Sequence, residues 1–185
     1  GRRARKVGSY AKIDVVGGAN RVKEAIDQLK PKRVFVDAGG LGVGVIDILH
    51  SWGGIYKEIV VAVNFGGSPM QADEILTDGT KKPGPRNRRS EMWMHTKEWL
   101  DDDGGADIED DDVLHGDLCG PGYRYDMNQR LILESKEDMR ARGVRSPDDG
   151  DALALTFAEP VFDAPDVKFF SNSRGSGGSG GFLRR

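Results

Sequence analysis

Cysteine, histidine and long apolar runs are all scarce in this chain, and each shortage removes a class of protein. Cys119 is the single cysteine among 185 residues, so there is no disulfide framework, and three scattered histidines do not make a Cys/His zinc site. An oxidising compartment is not implied. No apolar run approaches the roughly 20 residues needed to span a bilayer, and the basic N-terminus is followed by no hydrophobic segment. The expectation is a soluble, cytoplasmic protein with no membrane partner. The length is that of one domain, enough to bury a core without covalent staples. Gly1 stands where a Met would open a complete chain, which reads as a fragment or a processed product.

Two nucleotide motifs are also missing. Gly39, Gly40, Gly42 and Gly44 follow an apolar strand, yet no three of them have the G-x-G-x-x-G spacing of a dinucleotide fold. A Gly-Lys dipeptide occurs nowhere, so the chain has no Walker A loop and is no P-loop motor by itself. The net charge of -3 gives no overall basic field. Its distribution says more. Basic residues cluster at Arg2–Lys6, at Lys81–Arg89 and around Arg140, Arg142 and Arg145, while acids gather between Asp101 and Asp112. Such segregation allows a positive DNA track beside an acidic metal site or a solvated flank.

What is present follows an α/β rhythm. Asn20 is positioned to cap a helix in which Val22, Ala25, Ile26 and Leu29 recur at helical spacing, closed by Pro31. A strand over Arg33–Asp37, a glycine turn, a short helix carrying Val45, Ile46, Ile48 and Leu49, and a strand over Ile59–Val63 imply parallel neighbours in a buried sheet. Residues 66–86 read as a long loop or a small hairpin. Helices are expected at Arg88–Leu100 and Glu109–Leu118, with Trp93 and Trp99 as core anchors. A hairpin is expected at Tyr123–Tyr125 and Arg130–Leu133. Capping boxes open helices at Ser135 with Asp138 and at Ser146 with Pro147 and Asp149, the second helix running to Ala158. Residues 1–160 thus make one domain, and 161–185 an irregular tail whose Gly/Ser-rich part reads as flexible.

The chemistry lies in carboxylates at the ends of apolar elements. Asp37 closes the strand Val34-Phe35-Val36, and Asp148, Asp149 and Asp151 open the helix Ala152–Ala158. Hard divalent cations take oxygen ligands fixed on rigid supports, so such ends are natural metal sites. Asp37 alone reads equally as an acid capping a turn, and first-turn acids such as Asp148 and Asp149 complement the helix macrodipole without any ligand. Asp151 sits deeper, among Ala and Leu, where a carboxylate is costly unless paired, protonated or metal-bound.

Five blocks, Val34–Gly44, Ala62–Gly66, Asn87–Trp93, Leu133–Met139 and Ser146–Leu155, resemble in order the C-terminal nuclease domain of tailed-phage terminase large subunits. The resemblance implies a ribonuclease H-like fold: a mixed sheet flanked by helices, here N-terminally truncated, since the opening strand and its first metal-binding Asp lie upstream of the matching segment. Asp14 stands too close to Asp37 to replace that Asp. The resemblance further implies cleavage of double-stranded concatemeric DNA in the host cytoplasm with two Mg²⁺ or Mn²⁺ ions. Asp37 would be the strand acid, Asp151 the helix acid and Asp148 a further ligand. Lys136 would contact the scissile phosphate, and Arg86, Arg88 and Arg89 would grip backbone phosphates. A terminase ATPase domain, the small terminase subunit and the portal are the implied partners. The alternatives are a non-catalytic DNA-binding or assembly fragment with an incomplete metal site, and another ribonuclease H-like nuclease such as a resolvase.

Overall fold

A computed structural model describes residues 2–71, 73–75, 77, 79 and 81–162; the expected Gly/Ser-rich tail lies outside them. Helix α1 (Val15–Leu29) opens earlier than Asn20 predicts, because Asp14 is its cap, accepting the Gly17 N–H at 2.7 Å. Gly17 and Gly18 weaken helix propensity locally, but the crossing with α2 (Gly42–Ser51) needs such small residues. A Cβ on Gly18 would meet Val45 at 3.2 Å, and one on Gly44 would meet Val15 at 2.8 Å. Tertiary approach here outweighs the local cost.

Strand β1 (Val34–Asp37) precedes α2, and a short helix not read from the sequence, α3 (Gly54–Ile59), leads into β2 (Val60–Val63). The two strands pair in parallel, Val34 opposite Val60 and Asp37 opposite Val63, as the α/β rhythm requires. Alternation along β1 then divides the core into two layers. Val34 and Val36 pack with Ala19, Ile26 and Leu49 beneath α1 and α2. Phe35 faces the other way, into a cluster of Val63, Met92, Trp93, Ala154 and Ala158.

That second layer is built by α4 (Arg88–Asp101) and α7 (Asp148–Leu155), with α5 (Asp112–Cys119) behind α7. Between α2 and α4 the expected excursion is a small antiparallel pair, β3 (Glu74–Ile75) with β4 (Lys81–Lys82). The hairpin β5 (Tyr123–Tyr125) and β6 (Leu131–Leu133) leads into α6 (Lys136–Ala141). Among the described residues the strands pair two by two rather than in one continuous mixed sheet. One reason is visible at β6, where the Leu133 N–H goes to Ser90 Oγ on α4 at 3.0 Å instead of to a neighbouring strand.

The segregated charges meet each other. Arg2 pairs with Asp102, Arg3 and Arg5 with Asp107, and Lys6 with Asp149 and Asp111. A backbone bridge between Arg3 and Asp107 seats this strap. The first basic cluster is therefore bound to the acidic run rather than laid out as an open track. No helix among the described residues is long and apolar enough to cross a membrane.

Candidate metal centre

Asp37 ends β1 at its carboxyl edge, half-buried, with Oδ1 accepting the Gly39 N–H at 2.9 Å. Its side chain lies on the same strand face as Phe35, toward the layer of α4 and α7. The chain turns back so tightly that a Cβ on Gly42 would lie 1.8 Å from the Asp37 carbonyl oxygen. Glycine is required there for α2 to start against the strand end.

Helix α7, which carries Asp148 and Asp151, packs against β1, α4 and α5. Asp151 is 5% exposed. Its Oδ1 accepts Arg89 Nε at 2.9 Å and Trp93 Nε1 at 2.8 Å. These two donors are four residues apart on α4 and so share a face. Their placement follows from the helix start: Asn87 caps the Ser90 N–H at 2.9 Å, while the free amides of Arg88 and Arg89 donate to Gly67 O and Phe65 O, just beyond β2.

The other oxygen, Asp151 Oδ2, faces Lys136. The ammonium lies 2.8 Å away, an ion pair by distance, but outside the angular range of a hydrogen bond, so Oδ2 remains buried and unsatisfied. Arg89 Nη2 is likewise buried without a hydrogen-bond partner, although Nη1 donates to Glu134 O at 2.7 Å. Lys136 also stands 3.8 Å from Asp148 Oδ1. Asp148 itself is 79% exposed, and Ser146 Oγ donates to it at 2.7 Å. That contact corrects the expected capping box: α7 has Pro147 at its N-cap, with no side-chain cap from that residue. Its first amides instead donate to Asp117 of α5.

The three arginines expected at DNA separate into two groups. Arg86 is 59% exposed and 3.7 Å from Asp126. Arg88 and Arg89 are each 8% exposed and face inward. Arg88 pairs with Glu91 at 2.6 Å and donates to Ala158 O, tying α4 to the end of α7. Burial opposes ionisation of Glu91, but the N–H groups of Met70 and Gln71 and the Arg88 guanidinium outweigh it and hold the carboxyl below its ordinary range. Asp14, set aside as a ligand, is the α1 cap.

Several contributors escaped the sequence reading. Trp93 is the core anchor expected, but its indole N–H also bonds the helix acid. The signal available was its i+4 spacing from Arg89. Glu134 is held by Arg142 and the Gly122 N–H, which lower its carboxyl to about 2. Both contacts brace the chain just ahead of Lys136.

A divalent cation suits the donor chemistry here, since hard ions take carboxylate oxygens and Asp151 Oδ2 is a buried acceptor with no hydrogen-bond donor, faced only by the Lys136 ammonium. Among the described residues, however, no three Asp, Glu, His or Cys side chains gather closely enough to hold a metal ion. The donor set is chemically right and short in number.

No protein-family model matches this chain, and no curated protein does. Solved structures do. The nuclease domain of the large terminase subunit gp2 of bacterial virus Sf6 superposes with a TM-score of 0.67 at 17% identity, covering 87% of this chain and 80% of that one. A lysine-to-alanine variant of that domain with manganese gives 0.67 at 16% identity, covering 86% and 80%. The variant gp2c with calcium gives 0.66 at 16%, covering 86% and 79%. The fold is therefore an α/β one. Within that class it is similar to the fold of a phage terminase nuclease domain.

Proposed function

We propose that this chain is the metal-dependent endonuclease portion of a viral DNA-packaging terminase large subunit, hydrolysing phosphodiester bonds of double-stranded concatemeric DNA. The observation that carries the reading is Asp151: a buried carboxylate hydrogen-bonded on one oxygen, with the other facing only the Lys136 ammonium, on a fold shared with nuclease domains solved with manganese and calcium.

Asp37 and Asp151 would hold Mg²⁺ or Mn²⁺, with Asp148 as a further donor. Bound as a pair, such ions lower the pKa of an attacking water and stabilise the leaving oxygen. The chain's own residues act by position and charge. Arg89 and Trp93 orient the Asp151 carboxylate. Lys136, beside Asp148 and Asp151, is suited to meet the scissile phosphate, where an ammonium offsets the growing negative charge. Arg86 is the exposed arginine for a backbone phosphate, giving salt-dependent and sequence-independent affinity. Arg88 and Arg89 serve from the interior by fixing α4 and α7. No protein nucleophile is needed. The ATPase domain, small subunit and portal of a packaging complex would be the partners, acting in the host cytoplasm.

The short donor set favours one second reading, a DNA-binding or assembly module that keeps the fold without a complete metal site. Plasmid nicking with Mn²⁺, run beside calorimetric Mn²⁺ titration, separates the two. Cleavage and metal binding that both vanish in Asp37→Ala and Asp151→Ala support the nuclease. DNA binding with no carboxylate-dependent metal uptake supports the module, and equal cleavage by all three chains removes the site assignment.

A further inference from the structure

Helix α7 starts without an acceptor of its own. Pro147 offers no side-chain oxygen, and Ser146 is turned to Asp148. The free amides of Asp149 and Gly150 donate instead to Asp117 Oδ2, at 2.8 and 3.2 Å, from 32 and 33 residues away in sequence. The second oxygen, Oδ1, accepts Arg145 Nε at 3.0 Å and Nη2 at 2.5 Å. Asp117 is 2% exposed, so this carboxylate is removed from water with both oxygens occupied. A Cβ on Gly150 would meet Trp93 at 2.9 Å and the Asp117 Cβ at 3.2 Å. The turn is thus packed closely against both Asp117 and the tryptophan that bonds Asp151.

We propose that Asp117 is a positioning residue for the acid helix: it caps α7 from α5 and, clamped by Arg145, fixes the direction in which Asp148 and Asp151 are presented. The functional consequence rests on the reading of Asp151 as a metal ligand. Stability alone does not call for this arrangement. A neutral side chain caps helix amides as well, and burying a carboxylate costs several kcal/mol unless its partners are good. An ionised acid does what a neutral cap does not: it holds the two amides with one oxygen and a guanidinium with the other, so α5, α7 and the segment carrying Arg145 are locked by one group. Like charge sharpens the need. Asp148, Asp149 and Asp151 repel one another at a single helix start, and a frayed first turn would let them diverge.

The test uses the whole chain with Asp117→Ala and Asp117→Asn. Amide hydrogen exchange at Asp149 and Gly150 reads the cap directly. Mn²⁺-dependent plasmid nicking reads its consequence. In Asp117→Ala, exchange at those two amides should quicken at least about tenfold, and kcat should fall about tenfold or more with KM for DNA unchanged. Asp117→Asn keeps an acceptor for both amides but turns a donor toward Arg145, so it should restore protection at the two amides and recover kcat only in part. Unchanged exchange in Asp117→Ala overturns the proposal. So does an Asn variant that recovers thermal stability while kcat stays as low as in the Ala variant. Accelerated exchange in a chain whose parent never cleaves DNA upholds the cap and defeats the nuclease reading instead.

Discussion

Arg89 Nε lies 2.9 Å from Asp151 Oδ1, joining α4 to α7 through a pair of side chains no more than 10% exposed. A buried pair of this kind contributes little net stability when intact, but removing one partner strands the other charge in a poorly solvated interior. Arg89→Ala should therefore lower the unfolding free energy by about 3–5 kcal/mol, read from urea midpoints. Trp93→Phe removes only a neutral donor to the same oxygen. It should cost about 1.5–3 kcal/mol, and an inverted order would mean that Arg89 is not the main partner of Asp151.

Glu134 gives the molecule a defined acid limb. Its folded value of about 2 lies below the ordinary 4.5, chiefly because Arg142 bonds the carboxylate, with the Gly122 N–H assisting. A depressed carboxyl stabilises the fold in full above the unfolded value and loses that contribution as the folded value is approached. The loss should fall between about pH 4.5 and pH 2. Glu134→Gln should flatten the dependence of the urea midpoint on pH in that window and leave its slope above pH 5 unchanged. Equal slopes for both proteins would detach Glu134 from the acid limb.

Two of the glycines after Asp37 should differ in the kind of cost they carry. Gly40 has a positive φ of 52° and open space around its missing Cβ, so Gly40→Ala meets only backbone strain, about 1 kcal/mol. Gly42→Ala drives a methyl into the Asp37 carbonyl oxygen and must displace backbone at the site, costing about 1–3 kcal/mol. Thermal unfolding of both variants, with Mn²⁺ titration, should find metal uptake impaired in Gly42→Ala and near normal in Gly40→Ala.

The parallel β1–β2 pair and the helix and hairpin positions were legible because each rests on local pattern: β-branched runs, helical spacing, turn residues between them. The misreadings share a cause, a partner remote in sequence. Asn20 looked like the cap of α1, yet the helix begins at Val15 and runs through Gly17 and Gly18, where α2 crosses. Ser146 looked like a cap because a serine before a helix ordinarily is one; the acceptor came from Asp117, which no local rule connects to α7. Arg88 and Arg89 have the composition of a phosphate grip, yet they begin a helix whose face is covered, so burial turned them to Glu91 and Asp151. The basic strap had its complement in the acidic run a hundred residues on, and net charge alone conceals such pairing.

The strap also has a mechanical side. Lys6 Nζ bonds Asp149 Oδ2 at 2.7 Å, next to the turn gripped by Asp117 and two residues ahead of Asp151. Lys6 is thus the innermost link of the strap, tying the first residues to the opening turn of the helix that bears Asp148 and Asp151.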